Sequence, residues 1–145
     1  MITTDIINEQ SFDENSEAEE VTWDICTLRK YLNGNFLQTF NSNELGQILD
    51  TVNTNDGNKQ FGTDGGDKTT DKVFILSIEE AEKHFNNNES RMSKLNDTFD
   101  CWWLRSPGET AINAAIVDDT GAIDFNGQCV DFKCGIRPVL WRVMS

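Results

Sequence analysis

The residues of this chain whose types could do chemistry are four cysteines, one histidine, two arginines set shortly before prolines, and a carboxylate-rich segment near the C-terminus. Cys26, Cys101, Cys129 and Cys134 form no CxxC pair. The opening MITTDIINEQ lacks a basic n-region and an apolar h-region, so no secretory signal is read there. Four reduced thiols acting as small hydrophobes are therefore expected. A Cys129–Cys134 disulfide is expected only if the chain is exported. His84 falls near the end of a predicted helix, where a favourable dipole contact accounts for it, and no zinc-ligand spacing surrounds it. The segment DDTGAID, Asp118 to Asp124, offers carboxylates without the spacing of an EF-hand. Neither a metal nor a cofactor is expected.

Arg105 stands in RSP and Arg137 in RP, where the approach to proline restricts the backbone to extended forms. A guanidinium there has five donors for the carbonyls of irregular loops. Both are expected as scaffold, with a carboxylate or phosphate clamp as the alternative. Trp102, Trp103 and Trp141 are likewise expected in the core. Neighbours on a strand point to opposite faces. The alternative to a core role is that one of Trp102 and Trp103 is exposed for stacking, and the sequence does not say which.

These residues need elements to hold them. Thr3 to Ile7 predicts a short strand, followed by FDENSEAEE as a solvated acidic loop. Thr22 is placed to cap a helix in which Ile25, Leu28, Tyr31 and Leu32 recur at helical spacing, and Asn33-Gly34 ends or kinks it. A second short helix is predicted from Ser42, with Leu45, Ile48 and Leu49 as its buried side. Thr51 to Lys72, dominated by Asn, Asp, Gly and Thr, has no apolar periodicity and reads as a long surface loop. VFILS, Val73 to Ser77, predicts an apolar strand feeding a capping box of Ser77 and Glu80. From Cys101 the pattern is β: CWWL, Asn113 to Val117, Ala122 to Phe125, Cys129 to Phe132 and Ile136 to Val143. Turn signals separate them at Pro107-Gly108, Asp118–Gly121, Asn126-Gly127 and Cys134-Gly135. The fold class is α+β, a helical first half followed by an antiparallel β meander.

A length of 145 residues suits one domain, with nine Phe and four Trp to build its core. The net charge of −13, from 25 acids against 12 bases, repels phosphate backbones and anionic bilayers alike. Neither direct nucleic-acid binding nor membrane binding is expected. No stretch approaches the roughly 20 apolar residues of a membrane span, so the chain as it stands is read as cytoplasmic.

Two strings are more specific than the rest: WWLRSPG, Trp102 to Gly108, and GIRPVLW, Gly135 to Trp141. With VTWDICTLRKYLNGNFL and TTDKVFILSIEEA they resemble a family of uncharacterised bacterial domains. Its members end in a Trp-Leu-Arg-Ser-Pro-Gly segment, a short meander and a Gly-Val-Arg-Pro-Ala-Leu strand. The resemblance runs from about residue 1 to Leu140. The family is similar to the C-type-lectin-like fold, to formylglycine-generating enzymes and to the variable proteins of diversity-generating retroelements. In those variable proteins the meander presents the ligand-binding face. The resemblance therefore implies that Glu109, Thr110, Asn113, Asp118, Asp119, Asp124, Asn126, Gln128, Asp131 and Lys133 bind a protein or glycan.

The same resemblance implies that opening strands are missing here. Ile136 to Val143 would then lack its usual neighbour, and an unpaired edge of that kind predicts a homo-oligomer or an added partner strand. It implies no catalysis, because Cys129 and Cys134 lie too close to the Arg137-Pro138 strand to match the copper-binding pair of the formylglycine-generating enzymes. Soft thiolates do favour that metal, so a copper oxidase stays as one rival. An acidic decoy occupying the nucleic-acid site of another protein is the second.

Overall fold

Aromatic residues from both halves of the chain meet in one core. Phe12 sits between Trp23 and Trp103, with ring centroids 6.2 and 5.5 Å away. Such tilted pairs add about 0.5–1.5 kcal/mol each beyond the area they bury. A computed structural model of the chain describes residues 1–15 and 17–143, so Ser16 of the acidic run lies outside the described residues. That run does not behave as a solvated loop throughout, since Phe12 and Asp13 are buried. Trp102 and Trp103 are both buried, so neither is left free for stacking. Their indole N–H groups donate to the carbonyls of Arg91 and Gln10, as burial of an indole requires.

The protein is α+β. Its main sheet has five strands: β1 (Asn8–Ser11), β6 (Trp102–Pro107), β7 (Asn113–Val117), β8 (Ile123–Cys129) and β9 (Lys133–Ile136). Their spatial order is β1-β9-β6-β7-β8, antiparallel except for the β6–β9 pair. Two small hairpins flank it. One joins β2 (Thr51–Asn53) to β3 (Thr69–Asp71), and the other joins β4 (Ser93–Leu95) to β5 (Thr98–Asp100). Among the described residues no helix is long and apolar enough to cross a membrane.

This topology corrects the expectation of an open last strand. β9 lies inside the sheet, flanked by β1 and β6. Beyond it Val139 bridges both Ile2 and Phe74, Leu140 N donates to Met1 O, and Trp141 O accepts from Leu49 N. The chain's own first residues supply the neighbour thought to be missing. Ile136 to Val143 is therefore no exposed edge, and the physical reason for self-association through it is gone. The described sheet edges are β1 and β8 instead.

Other boundaries shift for local reasons. The predicted strand over Thr3 to Ile7 forms later, at β1. Trp23–Ile25 is a 3-10 turn, and the α-helix α1 (Thr27–Leu32) is capped by Cys26, whose sulfur accepts from Arg29 N. Ile25 consequently leaves the apolar stripe and is 50% exposed. In α2 (Ser42–Gln47) a capping box joins Asn41 and Glu44, but Leu49 beyond it is exposed. Val73 to Leu76 is buried yet irregular, with Phe74 bridging Val139. The Ser77–Glu80 capping box opens α3 (Ile78–His84) as read from the sequence. A one-turn helix, α4 (Asn88–Arg91), follows.

Candidate functional site

The stretch read as a surface loop is tethered to the rest of the fold by buried polar side chains. Asp71, 0% exposed, accepts hydrogen bonds from Trp23 Nε1 (2.9 Å), Asn53 Nδ2 (2.9 Å), Thr69 Oγ1 (2.7 Å) and Arg29 Nε (2.6 Å). Burial alone would raise the pKa of its carboxyl. The bonds from Trp23, Thr69, Asn53 and Arg29 outweigh that and hold it below the usual carboxylate range. Asn55 and Asn58 are buried as well. Asn55 Oδ1 accepts from Arg105 Nε at 3.0 Å. Asn58 Nδ2 donates to the carbonyls of Pro107 (3.0 Å) and Phe125 (2.9 Å), fastening the loop to β6 and β8.

Arg105 is the second hub. It donates to Ile75 O at 2.8 Å and forms a bidentate pair with Glu80, tying loop, apolar segment and α3 together. Burial would raise the Glu80 pKa, but Arg105 and the Ser77 cap together bring it below its ordinary value. Arg137 is buried with its guanidinium 4.6 Å from the Trp102 ring and 5.1 Å from Phe85, and it donates to Thr3 O. Burial pulls its pKa down to about 10, with Asp5 opposing. Trp141, grouped with these residues from the sequence, departs from them. The residue is 56% exposed.

The ten polar meander residues are spread over separate places. Glu109, Thr110, Asn113 and Asn126 gather at one end of β7. There Glu109 N donates to Asn126 O (2.9 Å), Asn126 Nδ2 to Glu109 Oε2 (3.3 Å) and the Thr110 hydroxyl to Asn113 Oδ1. Asp124, on β8 opposite Ile116, accepts from the backbone of Asn126 and Gly127. Asp118 and Asp119 lie at the opposite end of β7, where Asp118 Oδ1 closes a turn by accepting from Thr120 and Ala122. Asp131 sits in the β8–β9 connection and Lys133 opens β9, on either side of an exposed Phe132. Gln128 lies on β8 opposite Ala114. The structure does not bring all ten together.

What adjoins the first group was not legible in the sequence. Thr63 Oγ1 donates to Gly108 O at 2.8 Å and to Glu109 O at 3.2 Å. The loop from Asp56 to Asp64 curls around an open recess of about 440 Å³ next to that contact. A second groove, about 350 Å³, runs between α3 and the C-terminal segment. Phe74, Leu76 and Val139 line its base, and Lys83, His84 and Trp141 stand at its exposed rim.

The sulfur of Cys134 contacts Cys101, not Cys129. Cys129 is half-buried, and its thiol is pushed up by the Asp131 side chain and by burial. Cys26 is pushed up to about 12 by burial. Among the described residues no three His, Cys, Asp or Glu side chains are gathered as metal ligands would be.

A family model described as a domain of unknown function (DUF6273) matches residues 1–142. The chain belongs to that family. Neither the curated proteins nor the solved structures contain a match to this DUF6273 chain.

Proposed function

We propose that this DUF6273 chain is a non-catalytic recognition module of C-type-lectin-like type. It binds a protein or glycan at the end of the meander where Glu109, Thr110, Asn113 and Asn126 meet the loop from Asp56 to Asp64. The single observation that carries this reading is the way the loop is fastened. Asn55, Asn58 and Asp71 hold it from below, so its exposed polar groups stand beside the meander in a fixed arrangement. A surface that is ordered before binding loses less entropy when a ligand arrives. The lectin-like assignment is supported by the pairing of β1 with β9, since first and last strands pair in that fold. Among diversified receptors of retroelements the same strands carry the variable face. A reverse-transcriptase gene beside this one, with a template repeat matching the meander codons, would place the chain among them.

One observation favours a second seat. An indole exposed over an apolar groove, with Lys83 and His84 beside it, suits stacking of a sugar ring with hydrogen bonds at its edge. Amide chemical-shift mapping of the labelled protein against a panel of soluble glycans and peptides separates the two. Shifts confined to residues 56–64, 109–113 and 126, with binding weakened about tenfold or more by Asn126→Ala, are expected. Shifts centred on residues 74–84 and 139–141, abolished by Trp141→Ala, would move the ligand to the groove. Thiol-dependent copper binding lost in Cys129→Ser would favour the oxidase instead.

A further inference from the structure

Cys101 immediately precedes β6, and Cys134 lies in β9. These two strands run parallel with Trp102 opposite Gly135, so the residues just before each stand side by side. Gly135 N donates to Cys101 O at 2.9 Å, and the two sulfurs touch at 2.7 Å. Adjacent strands are about 4.7–4.9 Å apart, inside the Cα range of about 4.4–6.8 Å that a disulfide spans. Cys134 is wholly buried and Cys101 half-buried, so solvent reaches the pair from the Cys101 side. The other two thiols have different company. Cys26 donates to Trp23 O and caps α1, while Cys129 faces Asp131.

We propose that Cys101 and Cys134 are a redox-modification site, a dithiol that small-molecule disulfides of the glutathione type convert to an intramolecular disulfide. The Cys101 thiolate attacks one sulfur of the oxidant, releasing one thiol and leaving a mixed disulfide on Cys101. Cys134, on losing its proton, then attacks the Cys101 sulfur and expels the second thiol. The protein gives up two electrons and two protons, and one oxidant disulfide becomes two thiols. In the dithiol, contact with Cys101, burial and the carboxylates of Asp100 and Glu9 all push the Cys134 thiol up, which leaves the more exposed Cys101 to attack first. The bond spans the seam between β6 and β9, where the strands share one register pair, and closes a loop containing β7 and β8. It fixes the base of the meander and does not depend on what the meander binds.

The test uses the full chain, reduced and then equilibrated with excess oxidised glutathione. Free thiols are alkylated and the peptides mapped by mass spectrometry. Expected are two protected cysteines, a Cys101–Cys134 linked peptide, and a melting temperature raised by roughly 10 °C that dithiothreitol reverses. Cys101→Ser, at the half-buried position, should fold, show no linked peptide and gain nothing from the oxidant. Full alkylation of both cysteines after oxidation would overturn the proposal. So would a linkage through Cys129, or an oxidised form that melts with the reduced one.

Discussion

Thr51 to Asp71 and the meander from Pro107 to Lys133 are both rich in Asn, Asp and Gly, yet the fold uses them in opposite ways. In the first, Asn53, Asn55, Asn58, Thr69 and Asp71 turn inward and are buried. In the second, the polar side chains stay at the surface, and those with partners mostly close their own turns. The difference follows from the backbone. β7 and β8 satisfy their N–H and C=O groups through a ladder, leaving side chains free to face water. The loop between β2 and β3 has little ladder of its own, so buried amides and a carboxylate must bond it to the sheet. Polar composition therefore predicts an absence of apolar periodicity, and not an exposed position.

That contrast can be broken by substitution. Asp71→Ala should have the largest effect, a loss of about 3–5 kcal/mol in urea unfolding, because it strands the Arg29 cation and three buried donors. A loss below about 1 kcal/mol would mean the loop is held by something else. Acid titration probes the same carboxyl. Its folded pKa lies below the unfolded value near 3.9, so its contribution is complete above that pH and disappears as pH falls through the folded pKa. Asp71→Asn should flatten this part of the acid limb. Next, Asn58→Ala should cost about 1–3 kcal/mol by leaving the Pro107 and Phe125 carbonyls unpaired, with faster amide exchange over residues 56–64.

Within the meander the effects should be smaller and unequal. Asp118→Ala removes a turn-closing acceptor and should cost about 1 kcal/mol. Asp119→Ala, at the neighbouring exposed position, should stay within about 0.5 kcal/mol by the same measurement. Equal costs at 118 and 119 would remove the distinction between residues that build turns and residues available to a ligand.

The sequence was most legible where one local rule acts alone. β7 falls where the flanking turn signals placed it, and the Ser77–Glu80 box is stated in four residues. It was least legible where distant segments decide. Asn126-Gly127 reads as a turn but lies inside β8, where Gly127 adopts φ +73° and the β7–β8 register shifts. A β-carbon there would stand 2.0 Å from Ala114 O, so the dipeptide marks a bulge against β7. The pairing of β1 with β9 and the Cys101–Cys134 contact join residues far apart in the chain, and no short motif announces either. Of the candidate surface, the polar meander end was visible beforehand. The loop beside it was not, because its anchors are the same Asn and Asp that usually mark solvent.

The meeting of the two chain ends has a mechanical consequence. Leu140 N bonds Met1 O at 3.0 Å, and Thr3 N bonds Pro138 O at 3.3 Å, in an antiparallel sense. A load that pulls the two ends apart meets these bonds one after another, as a zipper does, and never as a set sheared together. Held at both ends under tension, the module should yield first by peeling at its termini. The meander, whose strands β7 and β8 lie on the side of the sheet away from β1, should be the last part to feel the strain.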